Sequence, residues 1–114
     1  MQLISDNNLK RINDINDLLK SNGMSKLLTF KDVVTAETIG VVMAIPSFFD
    51  ETKDSFIMTF QENFVISSDS YQTMVDNMNQ EIEDFLKFLN KEYLKLIRLN
   101  DSFIPIPEIN IIFN

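Results

Sequence analysis

At 114 residues the chain is long enough for one domain with a single core, and its 45% hydrophobic and 24% charged content is that of a globular protein rather than a disordered tail. With no Cys and no His, it has no disulfide framework, thiolate nucleophile or cysteine metal site, and it lacks the commonest general base. The formal charge is −7, no apolar run approaches the ~18 residues of a membrane span, and no signal peptide is evident, so a cytoplasmic protein is expected.

Ser5 or Asp6 is placed to cap a first helix that carries Leu9, Ile12, Ile15, Leu18 and Leu19 on one side. Asn22-Gly23 ends it, because Gly readily takes the left-handed conformation that closes a helix. So short a helix is marginal alone and must dock, on the domain or on another copy. Ser25 to Thr35 is ambiguous between a strand pair and a helical turn, with irregular or extended structure preferred. Thr38 to Ile45 reads as a strand: Ile39, Val41, Met43 and Ile45 alternate onto one face, and Gly40, Val42 and Ala44 onto the other.

Pro46 ends that strand. A polar connection with two adjacent aromatics, Phe48 and Phe49, leads to a second strand with Phe56, Met58 and Phe60 on one side. Phe64 to Ser67 reads as a third strand and Ile109 to Phe113 as a last one. Between them lies a long helix, capped by Asp69 or Ser70. Tyr71, Met74, Val75, Met78, Ile82, Phe85, Leu86, Leu89, Tyr93, Leu96 and Ile97 form a stripe about 140° wide.

These elements define an α+β protein: a small antiparallel sheet of three to four strands covered on one face by a long amphipathic helix, with an extra N-terminal helix. Residues 1–35 hold the first helix and a connecting segment, and residues 36–114 the β-β-β-α-β domain. Sheet edges left open invite pairing with another chain.

Charge is unevenly distributed. Residues 1–31 sum to +2, residues 32–84 to −10 and residues 85–114 to +1. The acidic middle argues against direct binding to nucleic acid and suits a basic protein partner, although solvated acids that merely keep a protein soluble read the same way. On the exposed side of the long helix Asp76, Glu81, Glu83 and Asp84 precede Lys87, Lys91, Lys95 and Arg98. That order is expected to complement the helix dipole, and Asp76 and Glu83 read as solvated.

From Ile39 to about Ile109 the chain resembles the HicB-like antitoxin family. The segments that carry the resemblance are VVMAIPSFFDETKDSFIMTFQE, then FVIS, then SDSYQTMVDNMNQEIEDFLKFL, and finally PIPEI. They cover roughly two thirds of the chain and match in pattern and spacing more than in single residues. Thr52-Lys53-Asp54 and Glu62-Asn63 stand where members often have Gly-rich or Pro-Gly turns. The first helix is not typical of the family, and the DNA-binding module that many members carry is not found here.

The resemblance implies an antitoxin that covers the RNA-binding face of a small basic nuclease toxin. On that reading Phe48, Phe49, Asp50, Glu51, Asp54 and Glu62 face the partner, although at least one of the two Phe residues reads first as folding back on the core. Asp69 and Asp76, near the start of the long helix, are further candidates, although Asp69 reads as a helix cap before it reads as a contact and Asp76 as a solvated acid. Phe88 and Leu94 fall outside the stripe of the long helix; they are either covered by the first helix or the tail, or form an oligomer interface.

An inhibitor of a host defence nuclease that imitates nucleic acid, carried by a phage or mobile element, is the alternative; a homo-oligomeric structural protein is another. No Gly-rich phosphate loop or nucleophile–base pair is present, and the acids show no evident convergence on a metal. A non-enzyme without metal or cofactor is expected.

Overall fold

Ser5 opens the first helix, α1 (Asp6–Ser21), with its hydroxyl accepting from the Asn8 amide. The computed structural model describes residues 2–47, 55–63 and 70–102, the last three by backbone alone. Gly23, at φ 79°, closes α1: its amide donates to Lys20 O at 3.0 Å, and the Met24 amide reaches back to Leu19 O at 3.0 Å. That pair of bonds is a Schellman ending, which satisfies carbonyls the helix itself leaves open.

Three strands follow: β1 (Thr29–Val34), β2 (Thr38–Ile45) and β3 (Phe56–Asn63). They form an antiparallel sheet in the order β1-β2-β3. The segment expected to be irregular or extended is therefore a regular edge strand over Thr29–Val34. It lies before residue 36, so the boundary drawn between 35 and 36 falls in the turn joining two neighbours of one sheet. Thr35 forms that turn, with its amide donating to Thr38 O and its hydroxyl accepting from the Glu37 and Thr38 amides. The strands expected at 64–67 and 109–113 lie outside the described residues.

The second helix, α2 (Tyr71–Ser102), is capped by Ser70, whose hydroxyl accepts from the Thr73 amide at 3.2 Å. From Met74 onward its expected stripe is the buried face: Met74, Met78, Ile82, Leu86, Leu89 and Tyr93 are in the core, with Val75, Phe85 and Leu96 packed against it. Tyr71, expected in the stripe, is instead 40% exposed at the helix start, where the sheet no longer lies beneath it. Ile39, Val41, Met43 and Ile45 of β2 join them, each at most 6% exposed. Phe60 of β3 meets Phe85 with ring centroids 5.7 Å apart and planes tilted by 56°, a favourable aromatic arrangement.

Helix α1 adds Ile12, Ile15 and Leu19 to the same core. Both helices thus cover one face of the sheet. The cover thins at the edges: Val34 and Phe56 lie on that face by register, yet are 56% and 62% exposed.

The two helices run in the same direction. Asn8 meets Asn79, Arg11 meets Glu83, and Ile15 lines a groove with Leu86. Their ends are bound together by polar contacts. The Asn8 amide side chain is buried and donates to Asn79 O at 2.9 Å. Asn79 Oδ1 accepts from the Ser5 amide at 2.8 Å, while its Nδ2 donates to Leu3 O and Val75 O, both at 2.9 Å. Further along α1, Asn16 receives the Leu28 amide at 2.8 Å and donates to the Leu28 carbonyl at 3.0 Å. A single asparagine thereby holds the chain entering β1 as a neighbouring strand would.

Two expectations about the charges of α2 need correction. Its first turn holds no acid and its last turn no base, so the sorted charges do not serve the helix ends, where the dipole acts. Glu83 is not simply solvated either. Its side chain is half-buried and accepts from Arg11 at 2.8 Å, with Lys87 3.8 Å from its other oxygen. Because α1 docks beside α2, one of the supposedly free faces is occupied.

Candidate functional site

The direction of α2 over the sheet follows from two contacts. Phe85 lies over Phe60, which pairs with Val41, and Tyr93 donates its hydroxyl hydrogen to Pro46 O at 2.7 Å. As β2 advances from Val41 to Pro46, α2 therefore advances from Phe85 to Tyr93. The start of α2, the start of α1 and the β1–β2 turn consequently share one end of the domain.

That end is acidic. Glu37 sits in the turn between β1 and β2, and Glu62 stands across the ladder from Ile39 at the same sheet end. Glu62 is half-buried and, by register, projects on the face that the helices cover. Asp6 and Asp76 line a single groove of about 430 Å³ between the helix N-termini, together with Gln2, Ser5, Tyr71, Gln72 and Asn79.

Sequence and local geometry build this groove. The Ser5 cap turns the chain so that residues 2–5 lie along α2, and Asn79 holds Leu3 and Ser5 there. Gln2, ahead of α1, donates to Asp6 at 3.1 Å, and Gln72 donates to Asp76 at 2.8 Å as an i,i+4 pair within α2. The glutamines orient the carboxylates without neutralising them. Tyr71, 40% exposed, lines the same groove. Two carboxylates beside an aromatic face form a receptor for a lysine or arginine side chain. Asp6 also has a structural role, since an acid in the first turn of a helix is stabilised by the dipole.

Of the residues expected to face a partner, Phe48, Phe49, Asp50, Glu51 and Asp54 lie outside the described residues, as does Asp69. Glu62 is at the acidic end. Phe88 is 56% exposed and lines a second groove of about 600 Å³ between α1 and α2 with Arg11, Asp14, Ile15, Leu86, Lys87, Asn90 and Lys91. Leu94 is half-buried, and at six residues' distance it projects about 120° round the helix from Phe88. The two do not share a face.

From sequence Asp6 is expected only as a helix cap and Tyr71 only as part of the buried stripe, and Asn79 carries no expectation; the spacing of Gln2 to Asp6 and of Gln72 to Asp76 does not say that the two helix starts meet. Among the described residues two ionisable groups are shifted. Glu83 is held below the usual carboxylate range, first by the hydrogen bond from Gln80 and then by Lys87 and Arg11. Burial pushes the Tyr93 phenol up to about 12. Neither faces the acidic groove.

Among the described residues no group of three or more Asp or Glu side chains is placed to hold a metal ion, and no helix is long and apolar enough to cross a membrane. Compared with protein-family models, curated proteins and solved structures, the chain matches none.

Proposed function

We propose that this chain is an acidic protein-binding domain, similar in role to an antitoxin, that inhibits a basic nuclease by covering its nucleic-acid-binding surface. The observation that carries the reading is the groove lined by Asp6, Asp76 and Tyr71, at the end of the domain that also carries Glu37 and Glu62. A nuclease grips phosphates with clustered Lys and Arg, and such a cluster is complementary to this end of the domain. Opposite charge speeds encounter, and seating a cation over Tyr71 between two carboxylates adds specificity. The partner's substrate is then excluded by occupation of the same basic surface, with no chemistry required of the bound domain.

Calorimetric titration against a small basic ribonuclease of the toxin type tests this, together with an RNA-cleavage assay. A complex that protects RNA and weakens steeply with salt is expected, and Asp6→Lys with Asp76→Lys should lower affinity at least about tenfold. Failure to form a complex or to protect RNA would refute the reading, as would a complex indifferent to both substitutions.

A further inference from the structure

We propose that the exposed face of α2 centred on Phe88 docks against the same face of a second copy of this chain, helix antiparallel to helix. This surface is separate from the acidic groove and stands independently of it. Glu81, Asp84, Phe88, Lys91, Lys95 and Leu99 are all exposed. At 100° per residue, Glu81, Phe88, Lys95 and Leu99 lie within about 20° of one line along the helix, with Asp84 and Lys91 on one flank.

Glu92 apart, which lies about 40° to the other flank and pairs with Lys95, the charges on that line are sorted: Glu81 and Asp84 precede Phe88, and Lys91 and Lys95 follow it. The helix dipole does not account for the order, since no acid lies in the first turn and no base in the last. The Arg11 contact accounts only for Glu83.

Self-complementarity does account for it. A two-fold axis beside Phe88 pairs each residue before it with one about as far after it on the other copy. Glu81, seven residues before, meets Lys95, seven after, and the pair occurs twice. Asp84, four before, meets Lys91, three after, on the same flank. A parallel arrangement would instead set Glu81 on Glu81 and Lys95 on Lys95.

The apolar centre is also provided for. Beside Phe88 a groove of about 600 Å³ between α1 and α2, with the buried Ile15 and Leu86 at its floor, leaves room for the other copy's Phe88 ring. Competing bonds within one copy are weak. Lys95 reaches Glu92 at 3.2 Å with its side chain 71% exposed, and such a pair readily exchanges partners.

Sedimentation equilibrium across a concentration series is the test. A reversible monomer–dimer equilibrium is expected, with Phe88→Glu weakening it at least about tenfold while the circular dichroism spectrum and melting temperature stay unchanged. Glu81→Lys and Lys95→Glu should each weaken dimerisation, and the double variant should restore it. The chain has no native cysteine. An oxidised mixture of Glu81→Cys and Lys95→Cys chains should therefore yield the mixed disulfide ahead of either homodisulfide. A chain that stays monomeric to about 0.5 mM, a dimer indifferent to Phe88→Glu, or preferred homodisulfides would each overturn the proposal.

Discussion

The side chains of Asn8 and Asn79 join the two helices at their starts: Asn8 Nδ2 lies 2.9 Å from Asn79 O and 3.2 Å from Asn79 Oδ1. Asn79 also holds the Ser5 amide and Leu3 carbonyl, so one amide side chain positions the N-terminal residues on α2. Two parallel helices gain nothing from their dipoles when side by side, which makes these bonds important to the pairing.

Replacing Asn79 by Leu should therefore be costly. It leaves the Ser5 amide and Leu3 carbonyl without their partner, at about 1–3 kcal/mol for each polar group that stays buried. Urea unfolding should show a loss of roughly 2–4 kcal/mol, whereas exposed Asn77→Leu on the same helix should change stability by less than about 0.5 kcal/mol. Equal effects of the two substitutions would remove Asn79 from its central place.

Glu83 sets an acid-side pH dependence. Its carboxyl is held low by Gln80, Lys87 and Arg11, so the unfolded chain takes up its proton first as pH falls. The contribution is present above the ordinary carboxylate range and disappears as pH drops through the lowered folded value. Glu83→Gln should flatten this part of the stability profile, and carbon-detected NMR titration of Glu83 should report the lowered value directly. A Glu83 that titrates like an unperturbed glutamate would contradict the hydrogen bond from Gln80 first, and with it the ion pairs to Lys87 and Arg11.

Tyr93 acts at the alkaline end. Buried and bonded to Pro46 O, it keeps its proton to about pH 12, whereas an unfolded tyrosine loses it near 10. The titration of Tyr93 therefore leaves stability unchanged below pH ~10 and lowers it between about 10 and 12. Tyr93→Phe should abolish the late phenolate absorbance step near 12 and cost about 1 kcal/mol at neutral pH. Persistence of the step in that variant would place it elsewhere.

Gly40 is close-packed against its neighbour strand. A Cβ there would stand 3.0 Å from Phe60 O and 3.2 Å from Gln61 Cβ, where backbone must move to admit it. Gly40→Val should destabilise the domain by roughly 1–3 kcal/mol despite the β-propensity of valine. A gain in stability, measured by thermal unfolding, would show that the sheet yields at that point.

Much of this architecture was legible in the residues themselves. Alternation in Ile39, Val41, Met43 and Ile45 marked the buried face of β2, and three- and four-residue steps marked that of α2, because periodicity records which side of an element avoids water. Capping chemistry likewise marked Ser5, Gly23 and Ser70. What periodicity does not record is which element supplies the cover.

Only the tertiary structure decided that α1 lies beside α2, that Glu83 is taken by Arg11, and that Asp6 and Asp76 share a groove. The same holds for β1, whose residues are mostly exposed and carry little burial signal, so its place comes from pairing with β2. Phe88 and Leu94 both stood outside the stripe; docking of α1 and the sheet left Phe88 exposed and Leu94 half-buried. Local sequence sets the faces of each element through the hydrophobic effect and backbone capping. Which faces meet is a property of the whole chain, because the contacting groups are up to 76 residues apart and no local pattern links them.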